Sequence, residues 1–292
     1  MVYYSSFMKE RLSVNLVTSK IFWESMPLLI GEIARREHYL SVFDETNIPS
    51  LKSLLDSDVY IDLSAITSVA FYEDVKGEYE RRLAAGDRTP LMIDPPEAII
   101  NSMDKRRTHA IMPDLVPESY NLDGSNNEGL IRKFMNDEYV VIKDPLSWWA
   151  KGIERLSPEE ALEKHKATEG LIVQKYIPFT DGVGRVLTLN HGSDFEIICA
   201  YLRIPDSWRT GEGTTSRYGL VLVKDDLYNF ALTVSKRAGL YLNGIDYIES
   251  SGKYVLLEVN AAPGFRDPYD EFRINTPKII MDHIERHARS QK

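Results

Sequence analysis

A single cysteine among 292 residues excludes an internal disulfide. Cys199 lies in the apolar run Phe195-Glu196-Ile197-Ile198-Cys199-Ala200-Tyr201 and is expected to pack as a small hydrophobic side chain. Long apolar runs are missing too: none reaches the length of a membrane span, and the stretch from Met1 to Leu12 lacks the core of a signal peptide. Basic charge is scarce. With 35 Lys and Arg against 44 Asp and Glu, the formal charge of −9 leaves nothing to neutralise a nucleic-acid backbone or an anionic membrane in bulk. These absences predict a soluble cytoplasmic protein that engages neither nucleic acid nor membrane, and they leave a homo-oligomer open. The six histidines are scattered. His283 and His287 stand at i, i+4, but Glu285, Arg286 and Arg289 around them read as a solvated helix face, not a metal site. There is no internal repeat, no phosphate loop and no dinucleotide glycine fingerprint.

What is present is ample apolar content, 43%, enough for substantial cores in two or three domains. From Leu12 to Asp94, apolar runs at Val14 to Val17, Tyr39 to Phe43, Val59 to Leu63 and Leu91 to Ile93 alternate with helical periods from Phe22 to Arg36 and from Tyr72 to Ala85. That alternation predicts an α/β domain on a mostly parallel sheet over 1–94. Asp94-Pro95-Pro96 breaks the chain ahead of a short helix from Glu97 to Lys105. An α+β region over 95–178 then carries strands at Glu138 to Lys143 and Leu171 to Pro178, with a capped helix start at Ser157-Pro158-Glu159-Glu160. A third region, 179–292, holds strands at Arg185 to Leu189 and Phe195 to Leu202, a helix from Leu227 to Ala238, and a hairpin.

That hairpin carries the chemistry. It reads Gly244-Ile245-Asp246-Tyr247-Ile248-Glu249, then Ser250 to Lys253, then Tyr254-Val255-Leu256-Leu257-Glu258-Val259-Asn260. Strand alternation puts Glu258 and Asn260 on one face with Leu256 and Tyr254, leaving Val255, Leu257 and Val259 for a core. A three-residue loop of Ser251, Gly252 and Lys253 sets Glu258 across from Asp246. Two carboxylates and an amide oxygen then converge, a donor set suited to Mg²⁺ with water and phosphate in the remaining positions.

Four landmarks follow in order: Asp104-Lys105, Val141-Ile142-Lys143, Gln174-Lys175-Tyr176-Ile177, and the hairpin through Asn260-Ala261-Ala262-Pro263-Gly264. Together they resemble the ATP-grasp superfamily, in the branch of ribosomal-protein glutamate ligases and the carrier ligases of lysine biosynthesis. The likeness covers nearly the whole chain and is strongest from Gly239 to Pro268. It implies an N-terminal α/β domain ahead of two α+β subdomains that clasp a nucleotide. It also implies that Lys105 and Lys143 meet the nucleotide phosphates, that the backbone of Gln174, Lys175, Tyr176 and Ile177 reads adenine, and that Asp181 takes the ribose hydroxyls. Arg185 and Arg203 would face the transferred phosphoryl group and the acyl intermediate. Asp246, Glu258 and Asn260 would hold Mg²⁺, with Glu258 bridging two ions and Mn²⁺ as an alternative metal. The implied reaction is ADP-forming: a carboxylate and an amine, either a small molecule or a peptide or protein tail, are joined into an amide through an acyl phosphate.

The chain departs from the family at three places. A Gly- and Ser-rich flap is replaced by Asp144-Pro145-Leu146-Ser147-Trp148-Trp149-Ala150-Lys151-Gly152, in which either the two tryptophans form an apolar lid or the loop has lost its phosphate role. Gly184 stands where the family has an Asp. Ser207-Trp208-Arg209-Thr210-Gly211-Glu212-Gly213 replaces an asparagine with paired glycines. These departures keep two rivals in view: a small-molecule kinase on the same fold, and a catalytically weak nucleotide-binding protein.

Overall fold

The computed structural model describes residues 10–18, 25–44, 47–64, 68–147, 151–179, 181–206, 208 and 215–290. The chain gathers into two compact units, one of Met1–Ile93, Gly264–Tyr269 and Asn275–Lys292, the other of Asp94–Pro263 and Asp270–Ile274.

The first unit is built from β1 (Ser13–Thr18), α1 (Met26–Arg35), β2 (Tyr39–Asp44), α2 (Leu51–Leu54), β3 (Val59–Leu63), α3 (Val69–Ala85) and β4 (Leu91–Ile93). Its four strands run parallel in the order β2-β1-β3-β4. The two inner strands are buried on nearly every residue, polar Asn15, Thr18 and Asp62 included, and Val14, Leu16, Val17, Val59, Tyr60, Ile61 and Leu63 supply their apolar part. The Ser68 hydroxyl caps α3 by accepting from the Phe71 amide, and Gly86 ends it in the left-handed region at φ 69°. The alternating pattern is thus realised as expected. The first helix begins at Met26 because Pro27 sits in its first turn; 19–24 lie outside the described residues.

The second unit opens with α4 (Pro96–Met103) and α5 (Lys105–Ile111). The expected single helix into Lys105 is two, because Asp104 leaves helical geometry at φ −115°, ψ 111° and its side chain accepts the Arg106 amide as the cap of α5. Lys105 therefore opens a helix. A four-stranded antiparallel sheet follows from β5 (Ser119–Asp123), β6 (Val140–Lys143), β7 (Ile153–Leu156) and β8 (Glu169–Lys175), in the order β5-β8-β6-β7. One face packs Leu122, Val140, Ile142 and Val173 against Ile131 and Phe134 from α6 (Asn127–Arg132) and the turn after it, and Ala161 from α7 (Pro158–His165). Helix α7 starts with the expected capping box: Ser157 accepts from the Glu160 amide, and the Glu160 carboxylate accepts from the Ser157 amide.

The larger sheet comprises β9 (Val183–His191), β10 (Asp194–Pro205), β11 (Thr215–Leu220), β12 (Leu242–Ser250) and β13 (Lys253–Asn260), ordered β11-β10-β9-β12-β13 and packed against α8 (Asp225–Ala238). Cys199 is buried and unbonded on β10, and burial pushes its thiol up to about 12.

After α9 (Arg266–Phe272), α10 (Thr276–Ser290) packs on α1. The solvated face expected around His283 and His287 is overturned. His283 is fully buried, and buried Glu285 accepts from Arg36 Nη1 at 2.8 Å and lies 2.9 Å from His38 Nε2. Arg36 also bonds Glu32 and Asp282, each at 2.7 Å. A buried guanidinium needs carboxylates around it, and α10 supplies two of the three. Among the described residues no helix is long and apolar enough to cross a membrane.

Candidate active site

Asp246 is buried on β12, the strand between β9 and β13 in the larger sheet. It pairs across β12 with Arg185 on β9 and with Glu258 on β13, so these three side chains line one row. Arg185 holds the Asp246 carboxylate with both Nε and Nη2 at 2.7 Å, and Arg203 Nη2 reaches Oδ1 at 2.9 Å from β10. Burial works to raise the Asp246 carboxyl, but the two guanidiniums outweigh it and hold it below its ordinary value. Two residues along, Gly244 pairs with Asn260, whose Nδ2 donates to the Gly244 carbonyl at 3.1 Å and so leaves Oδ1 as the group for a cation.

The expected opposition of Asp246 and Glu258 is found, but by another route. The turn has two residues, Ser251 and Gly252 at φ 53° and 73°, so that Ser250 faces Lys253. That register alone would put Leu257 opposite Asp246. A bulge between Asp246 and Tyr247 absorbs one residue of β13, so Tyr247 faces Leu256 while Asp246 faces Glu258. The bulge also breaks the alternation. Leu256, expected beside Glu258, is fully buried, and the next buried residue is Val259, three positions on.

Lysines complete the row. Lys105 Nζ lies 3.2 Å from Glu258 Oε1 and donates to the Ser147 carbonyl at 2.6 Å, while its backbone amide donates to Pro145 at 3.1 Å. The start of α5 is thereby tied to the segment after β6. Lys143 is buried at the end of β6; burial pushes its ammonium down to about 8, with Glu258 opposing and Lys105 adding to the shift. His109 stands one turn beyond Lys105, and burial, then Lys143 and Lys105, push its imidazole down to about 4. Its buried Nε2 has no hydrogen-bond partner among the described residues. The sequence reading missed His109; its i, i+4 spacing from Lys105 was the available signal.

The remaining residues lie at and beyond the end of β8, an inner strand of the smaller sheet. Gln174 is buried and donates to the Ser119 hydroxyl at 2.8 Å, and Lys175 pairs with Asp137 at 2.9 Å. Tyr176 and Ile177 follow β8, both partly buried, and Tyr176 accepts from Arg155 Nη1 at 3.3 Å. Asp181 is exposed in the bend before β9 and has no partner among the described residues. Gly184 has a plain structural reason: a Cβ there would come within 2.2 Å of the Tyr247 ring that crosses it from β12. Tyr247 in turn packs edge-on against Phe230 and Tyr254, so the acidic side chain expected by resemblance is replaced by an aromatic cluster. Trp148 and Trp149 lie outside the described residues, as does most of the segment around Trp208.

Two carboxylates on one rung and an amide oxygen two residues along, with lysines and arginines flanking them, fit a divalent cation meeting a polyphosphate. The model of the RimK-like ATP-grasp domain matches residues 127–284. The chain belongs to the RimK-like ATP-grasp family. A coenzyme γ-F420-2:α-L-glutamate ligase of Methanococcus maripaludis is 25% identical over 215 residues, 68% of this chain and 72% of that relative. A tetrahydromethanopterin:α-L-glutamate ligase of the same organism is 28% identical over 209 residues, 68% of this chain and 70% of that relative. The solved structure of the ATP-grasp ligase PsnB with minimal precursor, Mg and ADP superposes with a TM-score of 0.69 at 19% identity, covering 94% of this chain and 98% of that one. This RimK-like ATP-grasp protein is an ATP-dependent, ADP-forming carboxylate–amine ligase, and its relatives lend no support to the kinase or the idle nucleotide binder. ATP and Mg²⁺ are the family's working pair.

Proposed function

We propose that this ligase joins the α-amine of an amino acid, glutamate first among candidates, to a carboxylate on a larger acceptor, using the face of the larger sheet that carries Asp246 as its reaction centre. The row Glu258, Asp246, Arg185 carries the reading, because it sets opposed carboxylates for metal beside guanidiniums for phosphate and acyl oxygens. The names of the two methanogen relatives support glutamate, and PsnB's precursor supports an acceptor carried on a peptide.

Lys105 and Lys143 would bind the triphosphate, the backbone of Gln174 to Ile177 the base, and Asp181 the ribose. Asp246, Glu258 and Asn260 would hold two Mg²⁺ ions, which supply charge neutralisation at the transferred phosphoryl group when bound. Arg203 and Arg185 would face the transferred phosphoryl group and the acyl intermediate. Attack gives an acyl phosphate and ADP; the amine then attacks the carbonyl carbon and phosphate leaves. Positioning and charge provide the rate, so no dedicated nucleophile is required.

Incubating the full chain with ATP and Mg²⁺ across a matrix of amino acids and carboxylates, with phosphate detection and mass analysis, tests this reading. One new amide per ADP and phosphate, highest with glutamate, is the expected result. A stable phosphorylated product without amine dependence overturns it.

Lys143 adds a pH signature. With its ammonium at about 8, the free protein loses that charge as pH rises, whereas a bound phosphate holds the proton. ADP affinity should fall above pH 8, by up to roughly tenfold per pH unit for one linked proton. Lys143→Gln should flatten that slope; a slope unchanged by the substitution, measured by calorimetry, removes Lys143 from the phosphate site.

A further inference from the structure

Arg155 is a residue of the ligase that neither the motifs nor the metal hairpin accounts for. On β7 it pairs with Val141 of β6, which in turn pairs with Gln174 of β8, so the three share one face of the smaller sheet. Strand alternation adds Tyr139 and Lys143 to that face, two positions either side of Val141, and Tyr176 two positions beyond Gln174. The opposite face is filled by Val140, Ile142 and Val173 under α6 and α7. Arg155 therefore stands on the same side as buried Lys143 and Gln174, where the hinge from Gln174 to Ile177 begins.

Its guanidinium is enclosed by rings. The Arg155 Cζ lies 4.6 Å from the Tyr139 centroid, 5.1 Å from Tyr176 and 5.2 Å from Trp208. Nη1 donates to the Tyr176 hydroxyl at 3.3 Å, and Tyr139 and Tyr176 meet edge-to-face at 6.0 Å. A planar cation satisfies all of these at once, stacking through its π faces while donating in its plane. Three chain segments meet on it: the start of the Lys143 strand, the hinge after β8, and Trp208 shortly after Arg203.

We propose that Arg155 is a positioning residue for the nucleobase: it fixes Tyr176 and Trp208 as the outer wall of the base site and so sets affinity for the adenosine half of the nucleotide. The proposal rests on the reading of Gln174 to Ile177 as the base-binding hinge. It separates two halves of one ligand. Arg155 acts on the base, while Lys105, Lys143 and the hairpin act on the phosphates.

Calorimetry of the full chain in Mg²⁺ with two probes, ADP and inorganic tripolyphosphate, tests it. Arg155→Met should weaken ADP about tenfold, the loss of one desolvated cation–π cluster, and leave tripolyphosphate within about twofold. Arg155→Lys, which keeps the charge but not the plane, should recover only part of the loss. Equal weakening of both probes marks a general distortion and overturns the proposal, as does unchanged ADP affinity. If Arg155→Met lowers the melting temperature, Tyr176→Phe removes only the hydrogen bond and must still weaken ADP selectively. A wild-type chain that binds tripolyphosphate but not ADP would remove the hinge reading itself, a failure distinct from an Arg155 variant that binds ADP as the parent does.

Discussion

Replacing Glu258 by glutamine is expected to cut turnover by about 10²–10³-fold while leaving the melting temperature essentially unchanged, the range seen when one preorganised electrostatic group is lost from a reaction centre. The side chain is 29% exposed and contributes no core volume, so the fold has little to lose. The reaction centre loses more. Glutamine keeps the shape but not the charge that faces Lys105 at 3.2 Å and that opposes the downward shift of the Lys143 ammonium. Lys143 should then titrate below about 8, and half-saturating Mg²⁺ should rise. ADP release at saturating Mg²⁺, read beside a thermal melt, checks this. A variant with full activity and an intact fold would strike Glu258 from the metal site.

Asp246→Asn should behave in the opposite way, lowering stability by roughly 3–5 kcal/mol, the usual consequence of removing one partner from a buried ion cluster. Arg185 and Arg203 both converge on that carboxylate, and the substitution leaves two guanidiniums facing a neutral amide. The same arrangement fixes the sign of the pH dependence. The folded carboxyl titrates below its ordinary value of 3.8, so its contribution is fully present above that pH and is lost as pH falls through the lower folded value. Urea titrations at neutral pH should show the deficit, and it should shrink in acid below 3.8. A deficit under about 1 kcal/mol would mean that the guanidiniums find other partners or water, and that the cluster is looser than its geometry.

The contrast between these neighbours explains how much of the site could be read from residues alone. Asp246, Glu258 and Asn260 were legible because three oxygen donors flank one turn, and the lysines because each ends or begins an element beside an acidic or apolar landmark. The parallel sheet of the first unit was legible for a similar reason: β1, β3 and β4 are short, mostly apolar runs separated by helical periods. Local pattern is enough where the period itself reports burial.

Pattern failed where a partner strand or helix made the decision. A three-residue loop, and a two-residue turn at Ser251-Gly252 with a bulge at Leu257, give the same pairing of Asp246 with Glu258, and only the register tells them apart. Glu285 looked solvated because its own helix surface is polar; α1 brings Arg36 to it from 249 residues away. Gly184 looked like a lost acid until the Tyr247 ring was found lying over it. Sequence by itself determined the family, the reaction and the residues able to bear charge, since those depend on side-chain chemistry in linear order. Tertiary structure alone decided which charges face one another, because pairing across strands and helices is set by register and packing that no single segment contains.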